Sequence, residues 1–199
     1  MAAGHPELRV FGREPPARVR VLPDAVLGML IFVSVEVMVF GGFISAFTIS
    51  KAQYPPGGWP PPDQPRLPVE VTALTTLVLL ASGVALREAG RRFSSDRESA
   101  GRMLTLALAL GTVFVGVQGV EWARLIAEGL TMRSSTFGAF FYLIVGAHAA
   151  HAIPALAVLA SMRRRMAAGT LTEEGFSAMR LFWFFVVLVW PVLYALVYL

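Results

Sequence analysis

The 199-residue sequence has no cysteine, only three histidines and few charged residues. Without thiols there can be no disulfide framework, iron–sulfur cluster or cysteine nucleophile, and a metal site would have to use His, Asp or Glu. Charged residues make up 15% of the chain and hydrophobic residues 56%. This balance is too apolar for a soluble domain of this length and indicates a protein of the lipid bilayer.

Five long apolar stretches divide the chain, each close to the roughly 20 residues that a helix needs to cross about 30 Å of hydrocarbon. A loop rich in Pro and Gly, residues 54–62, separates the first two stretches. The sequence therefore predicts an all-α integral membrane bundle of five transmembrane helices, with residues 1–24 as a cytoplasmic arm and 25–199 as the membrane domain. The predicted spans are 25–49, 69–86, 103–126, 137–162 and 179–199.

Lysine is almost missing as well, because 16 of the 17 basic residues are arginine. Counted on alternate sides of the five spans, 13 basic residues share the side of the N-terminus and 4 lie on the other side. Short loops rich in Lys and Arg stay in the cytoplasm, so we expect the N-terminus inside and the C-terminus outside. The bias explains the net charge of +4 without a nucleic-acid partner. We expect a multi-pass protein of the bacterial inner (cell) membrane.

Ionisable side chains inside membrane helices are costly and usually mark function. At a rise of 1.5 Å per residue, Glu36 and His151 lie at a similar depth near the midplane. The same estimate puts Gln118, Glu121 and His148 in the outer half of the bilayer. We therefore expect Glu121, His148 and His151 within hydrogen-bonding or water-bridged reach of one another, since small neighbours let the third and fourth helices pack closely.

Three interpretations of these polar side chains stay open. They form a structural hydrogen-bonded network between the third and fourth helices, or they hold a metal through His148, His151 and Glu121. The third interpretation is a proton relay through Glu36 or Glu121. An independent membrane metal-dependent oxidoreductase or proton carrier is a further alternative, which the lack of a second inverted repeat disfavours.

Three ordered motifs resemble one known family. Residues 31–40 read IFVSVEVMVF, residues 118–122 read QGVEW, and residues 135–151 read STFGAFFYLIVGAHAAH. They are similar to the Phe/Ser-Glu-x-Met-x-Phe, Gln-x-x-Glu-Tyr and Phe-Gly-x-x-Phe-(Phe/Tyr)-x-x-x-Gly-x-His-Gly-x-His elements of subunit III of the haem–copper (cytochrome c or quinol) oxidases. The chain resembles a short, five-helix form of that family.

The resemblance implies a non-catalytic subunit of a respiratory terminal oxidase in aerobic electron transport, one that stabilises the catalytic subunit and supports proton uptake for proton translocation. It implies subunits I and II as partners, with the haem and copper bound there and no cofactor, metal or catalytic residue in this chain. Structural phospholipid is also implied, and membership of a respiratory supercomplex stays open. Arg163, Arg164 and Arg165 are candidate phosphate partners, because guanidinium matches phosphate geometry.

Several positions depart from the family pattern. The chain has five predicted helices where the long form has seven, and Ala149 replaces the glycine between the two histidines. Val35 stands at the position of the family serine, and Phe184 and Val187 replace a His and an Asp in the fifth helix. These losses pull the sequence towards relatives that accompany nitric oxide reductases. An accessory subunit of such a reductase is therefore the alternative function.

Overall fold

The computed structural model describes residues 22–61 and 64–199. Within these residues the chain forms helices and connecting loops, without strands, and all five helices are long and apolar enough to cross a membrane. The predicted all-α bundle is confirmed. Residues 1–21 of the predicted N-terminal arm lie outside the described residues. The helices are α1 (Asp24–Ala52), α2 (Val69–Arg92), α3 (Arg97–Ala127), α4 (Thr136–Ala167) and α5 (Glu173–Val197).

The helices run beyond the predicted spans at their polar ends. The second span was expected to end at residue 86, but α2 continues to Arg92. The third was expected to begin at residue 103, but α3 begins at Arg97. Hydropathy marks only the part of a helix that lies in hydrocarbon, whereas the helix itself continues into the headgroup layer, where long basic side chains reach water and phosphate.

Side-chain caps fix where three helices begin. Asp96, Ser135 and Thr172 each accept a hydrogen bond from the backbone N–H three residues later, at the starts of α3, α4 and α5. These residue types are favoured at such positions because they satisfy one of the free N–H groups of the first turn. At the start of α3, hydrogen bonds from the side chain and backbone of Ser99 lower the pKa of the Asp96 carboxyl.

Helices α2 to α5 share most of the core, and α1 lies at its edge. Phe40 and Phe47 are the buried residues of α1, which packs against α5 and α4. On α5, the indole N–H of Trp183 donates to the Ser82 hydroxyl of α2 at 3.1 Å. One heptad further along, the Trp190 N–H donates to Thr76 of α2 at 2.9 Å. Two tryptophans therefore join α5 to α2 inside the bundle.

The Pro-rich loop after α1 contacts the core through one aromatic side chain. The ring centroids of Trp59 and Phe47 of α1 are 5.5 Å apart, and those of Trp59 and Phe137 of α4 are also 5.5 Å apart. Tyr54 packs edge-on against the same indole at 4.9 Å. The loop thus links the C-terminal end of α1 to the N-terminal end of α4.

Candidate functional site

A glutamate and a histidine meet between α1 and α4. The Nε2 atom of His151 lies 3.0 Å from Oε2 of Glu36. Both side chains are half-buried, with 21% of His151 and 15% of Glu36 exposed. This contact agrees with the similar depth that the sequence predicts for the two residues, and it joins the edge helix α1 to the rest of the bundle.

The second ring nitrogen of His151 determines what the pair can do with a proton. Nδ1 lies 2.7 Å from the carbonyl oxygen of Ala147, and because a carbonyl only accepts, Nδ1 carries a hydrogen and donates it. Nε2 and the Glu36 carboxyl then share one further proton. It sits on the carboxyl oxygen, which gives a neutral pair, or on Nε2, which gives an ion pair.

Aromatic rings surround the histidine of this pair. The imidazole centroid of His151 lies 5.6 Å from the ring of Phe40, 6.2 Å from Phe185 and 6.3 Å from Phe182. Such apolar walls make any unpaired charge expensive, so the glutamate and histidine stabilise each other where they lie.

The polar residues of α3 have partners other than the histidines. Gln118 donates from Nε2 to the Thr75 hydroxyl of α2 at 2.9 Å. Glu121 is buried and accepts a hydrogen bond from Arg124, one turn further along α3, at 2.8 Å. The predicted polar contact between α3 and α4 is therefore replaced by a contact between α3 and α2 and by a pair within α3.

His148 lies in an apolar part of the core. Only 2% of the residue is exposed, and its ring centroid lies 4.8 Å from Trp190 and 6.3 Å from Phe114. Neither ring nitrogen has a hydrogen-bond partner among the described residues. A cavity of about 160 Å³ lies beside it, with Gln118 and Trp122 in its walls.

The expected direct hydrogen bonds among Glu121, His148 and His151 are therefore not found. A spacing of three residues turns a helix through about 300°, so the two imidazoles diverge by about 60°. This divergence directs His151 towards α1 and leaves His148 against α3 and α5. A bridge through water between Glu121 and the histidines stays a prediction.

The three side chains suggested as metal ligands also face different partners. In the two described ranges, 22–61 and 64–199, no three or more His, Asp or Glu side chains are grouped closely enough to hold a metal ion. The suggested set is divided because His151 pairs with Glu36 and Glu121 pairs with Arg124. The remaining interpretations are a structural contact and a proton-holding pair.

The three arginines near the C-terminal end of α4 differ in their surroundings. Arg163 donates from Nε to the Thr105 hydroxyl of α3 at 2.7 Å and lines a surface pocket of about 430 Å³. Arg97 and Arg102 of α3 line the same pocket. Arg164 and Arg165 are exposed. The prediction of phosphate partners did not include Arg97 and Arg102, although the basic start of α3 is a visible signal in the sequence.

The described residues form a multi-helix membrane protein with an acid–base pair, Glu36 and His151, between two of its helices. A family model, cytochrome c oxidase subunit III, matches residues 18–199. The chain is 35% identical over 179 residues to the proteins named cytochrome c oxidase subunit 3 of Scyliorhinus canicula, Salmo salar and Cyprinus carpio. Each alignment covers 86% of this chain and 67% of the relative.

The chain belongs to the cytochrome c oxidase subunit III family, and the resemblance seen in its motifs is confirmed. Members of this family are non-catalytic subunits that work in a complex with other oxidase subunits. The chain is thus an accessory subunit of a haem–copper oxidase, embedded in a membrane through several helices.

Proposed function

We propose that this chain stabilises the catalytic subunit of a respiratory haem–copper terminal oxidase and supports its proton uptake. Its partners in this proposal are subunits I and II, which hold the haem and copper. The contact between Glu36 and His151 carries the proposal, because it places a protonatable pair inside the membrane domain.

The proton part of the proposal follows from the tautomer of His151. Because Nδ1 donates to a carbonyl, the proton between Nε2 and Glu36 is the one that can move, over 3.0 Å and within one hydrogen bond. Intramembrane carboxylates and histidines recur in proton paths for this reason. The pair would hold a proton close to the catalytic subunit without a redox centre of its own.

The stabilising part of the proposal rests on the outward face of α1. Large apolar side chains cover this face, and Met38 at 75% exposure is the most exposed of them. Gly42 lies on the same face with nothing within 4 Å of a Cβ placed there. Small residues among large apolar ones let a second transmembrane helix approach closely, which suits docking to a partner subunit. The large side chains are Ile31, Val35, Met38 and Ile49.

The inner end of the bundle suits anionic headgroups. Arg97, Arg102 and Arg163 line one pocket, and Arg164 and Arg165 follow on the exposed side of α4. We assign phospholipid phosphate to this group of arginines, because guanidinium binds phosphate bidentately and anionic lipids attract basic residues near the membrane surface. The proposed orientation, N-terminus inside and C-terminus outside in a bacterial cell membrane, puts all five on the cytoplasmic side.

The second candidate is an accessory subunit of a nitric oxide reductase. It is favoured by α5, where Val187 packs directly on Gly83 of α2 and Phe184 lines an apolar groove. Phe184 and Val187 therefore make apolar contacts where the family pattern has a His and an Asp. The electron acceptor used by the complex that co-purifies with the chain, oxygen or nitric oxide, distinguishes the two candidates.

The test of the proton part uses the whole complex in liposomes. Glu36→Gln keeps a hydrogen bond to Nε2 but removes the carboxyl proton, so we expect slower proton uptake with an unchanged initial rate of electron transfer. Glu121→Gln tests the alternative relay, and because Glu121 pairs with Arg124 within α3 and not with a histidine, we expect unchanged proton uptake in this variant. Equal proton uptake in wild type and Glu36→Gln would leave the pair with a structural role only.

A further inference from the structure

Pro154 interrupts the backbone hydrogen bonding of α4 in the middle of the helix. A proline has no backbone N–H, so it cannot donate to the carbonyl four residues earlier, which is that of Ala150. In the part of the chain that the structure describes, no side chain donates to this carbonyl either. The Ala150 carbonyl therefore lacks the donor that the next turn of a helix normally supplies.

This gap lies on the outside of the bundle and deep in the membrane. Ala150 and Pro154 are both exposed. At 1.5 Å per residue, Ala150 lies about 21 Å from the first residue of α4 and about 26 Å from the last. A position so near the middle of a membrane-spanning helix lies in the hydrocarbon core, where no water is available to pair with a carbonyl. A donor from a neighbouring helix is the usual remedy for a proline at such a place.

A second helix can come close to α4 at this gap because the residues there are small. Gly146 lies one turn before Ala150 on the same side of α4, and a Cβ placed at Gly146 meets nothing within 4 Å. The two residues have the spacing small-x-x-x-small, which lets the backbones of membrane helices approach each other closely. A side chain on an approaching helix can therefore reach the Ala150 carbonyl.

A pocket of about 160 Å³ opens beside the gap, between α3 and α4. Its lining includes Gly119 of α3 and Ile153 of α4, which are both exposed. Two buried side chains line it as well: Gln118, whose Oε1 has no hydrogen-bond partner among the described residues, and His148, whose two ring nitrogens have none. A cavity of about 150 Å³ holds a benzene molecule, so this pocket has room for the ring of one aromatic side chain.

The gap and the pocket together form one surface, which we call the α3–α4 face. It consists of Gly119, Gly146, Ala150, Ile153 and Pro154.

We propose that a transmembrane helix of a partner subunit docks on the α3–α4 face and donates a hydrogen bond from a side-chain hydroxyl to the Ala150 carbonyl. An aromatic side chain of the same helix enters the pocket. This surface is distinct from the outward face of α1. The inference depends on membership of a complex, and it uses neither the proton role of Glu36 nor a bound lipid.

The unpaired groups on this face determine the chemistry of the partner. The Ala150 carbonyl and Gln118 Oε1 can only accept, so the partner must donate, and the apolar surroundings disfavour a charged donor. A hydroxyl is suited to this task because it can bond to a carbonyl of its own helix until docking occurs. The exposed hydroxyls of Ser34, Thr48 and Thr112 in this chain are bonded in that way.

Photo-cross-linking in the purified complex identifies the docked helix. A diazirine-bearing amino acid is incorporated at position 150 and, as a control, at position 81, an exposed position of α2. We expect position 150 to cross-link to a membrane-spanning segment of another subunit, within one helical turn of a Ser, Thr or Tyr. Position 81 should not reach that segment. Cross-links from position 150 only to lipid or to a second copy of this chain would overturn the proposal.

Two variants remove the recognition without changing the core. Pro154→Ala returns an N–H to α4, which then takes the place of the partner's hydroxyl on the Ala150 carbonyl. Gly119→Phe fills the pocket opening, where nothing lies within 4 Å of a Cβ. The measurement is the dissociation rate of the cross-linked subunit from the complex in mild detergent, followed by mass spectrometry. We expect Pro154→Ala to raise this rate about 3- to 20-fold, which corresponds to one hydrogen bond between membrane helices, and Gly119→Phe to raise it as well.

Two control variants match these changes at other places. Pro191→Ala removes the proline inside α5, where the carbonyl four residues earlier belongs to the buried Val187. Ala81→Phe adds a ring to an exposed position of α2. Both should keep the wild-type dissociation rate. Wild-type rates in Pro154→Ala and Gly119→Phe, or equal increases in the controls, would contradict docking at the α3–α4 face.

A double-mutant cycle tests the hydrogen bond itself. In the cross-linked segment, the hydroxyl is removed by replacing Ser with Ala, Thr with Val or Tyr with Phe. This change should raise the dissociation rate of the wild-type chain and have no further effect in Pro154→Ala, because that variant no longer needs the donor. Additive effects of the two changes would show that the hydroxyl does not bond to Ala150. Proton uptake is not measured, so the result is independent of the Glu36 test.

Discussion

Single side chains decide how the edge helix α1 is held. Glu36 contacts His151, and the aromatic rings around that histidine leave it no other partner for Nε2 among the described residues. The contact therefore has a structural part that is separable from any proton role. A variant at Glu36 that keeps the hydrogen bond should therefore be more stable against unfolding than a variant that removes it.

We expect Glu36→Leu to destabilise the isolated complex or chain by about 1–3 kcal/mol, because it leaves an imidazole nitrogen buried and unpaired. Glu36→Gln should cost less than about 1 kcal/mol, since its amide N–H still donates to Nε2. Thermal unfolding in detergent, followed by circular dichroism, measures both. If the two variants lose the same stability, the hydrogen bond between Glu36 and His151 contributes little.

Gly111 of α3 lies where α4 and α5 pack closely against α3. A Cβ at this position would lie 2.8 Å from Leu156 of α4 and 2.8 Å from the indole of Trp183 of α5. Both neighbours are packed in the core, so Gly111→Ala should destabilise the bundle by about 1–3 kcal/mol. Gly116→Ala on the same helix has open space around it and should be neutral or slightly stabilising. Equal unfolding temperatures for the two variants would contradict this packing.

At the scale of elements, α5 and α2 are joined by two indole hydrogen bonds. Thr76→Val keeps the shape of the side chain but leaves the Trp190 N–H without its acceptor. We expect a loss of about 0.6–2 kcal/mol, the range measured for hydrogen bonds between membrane helices. Thr48→Val, at an exposed site of α1 where the hydroxyl bonds only to its own helix, is the control. No difference between the two variants would mean that packing alone joins these helices.

The stability of the first turn of α3 should depend on pH, and the direction of this dependence follows from the pKa of Asp96. Hydrogen bonds from Ser99 lower the pKa of the Asp96 carboxyl below its ordinary value of 3.8. A lowered pKa means that ionised Asp96 stabilises the helix start at pH values above 3.8, and that this contribution is lost as the pH falls through the lower native pKa. The protection factors of the amides in the first turn of α3, which correct for the intrinsic pH dependence of exchange, should fall in that acid range. Asp96→Asn should remove this fall, and an unchanged pH profile of the protection factors in this variant would contradict the assignment.

The elements themselves were predictable from sequence, because a membrane helix needs only length and low polarity to be recognised. The relative depth of the polar side chains along the helices was predictable too, because the rise per residue is constant. Glu36 and His151, predicted at a similar depth, do contact each other. The direction in which each side chain points was not. Gln118 bonds to Thr75 of α2 because tertiary packing sets the rotation of each helix about its axis. The Arg180 side chain packs against Gly90 of α2, and no spacing within α5 reveals that neighbour.

At the scale of the whole molecule, the distribution of arginine predicts the orientation in the membrane. The chain has no cysteine, so a single introduced cysteine can be labelled without background. We expect Gln53→Cys, after α1, to react with an impermeant maleimide from outside the cell. Ser94→Cys, in the loop between α2 and α3, should react only after the membrane is opened. Both positions are exposed, and the reverse pattern would invert the proposed topology.

The central claim is that this chain supports a catalytic partner without carrying out electron transfer itself. The most direct measurement compares the complex before and after the chain is removed in mild detergent, with haem and copper content determined in both samples. We predict that the initial rate of electron transfer is retained, while activity decays faster over successive turnovers and proton pumping per electron falls. Loss of initial electron transfer on removal of the chain, with all haem and copper still bound to the other subunits, would contradict the account.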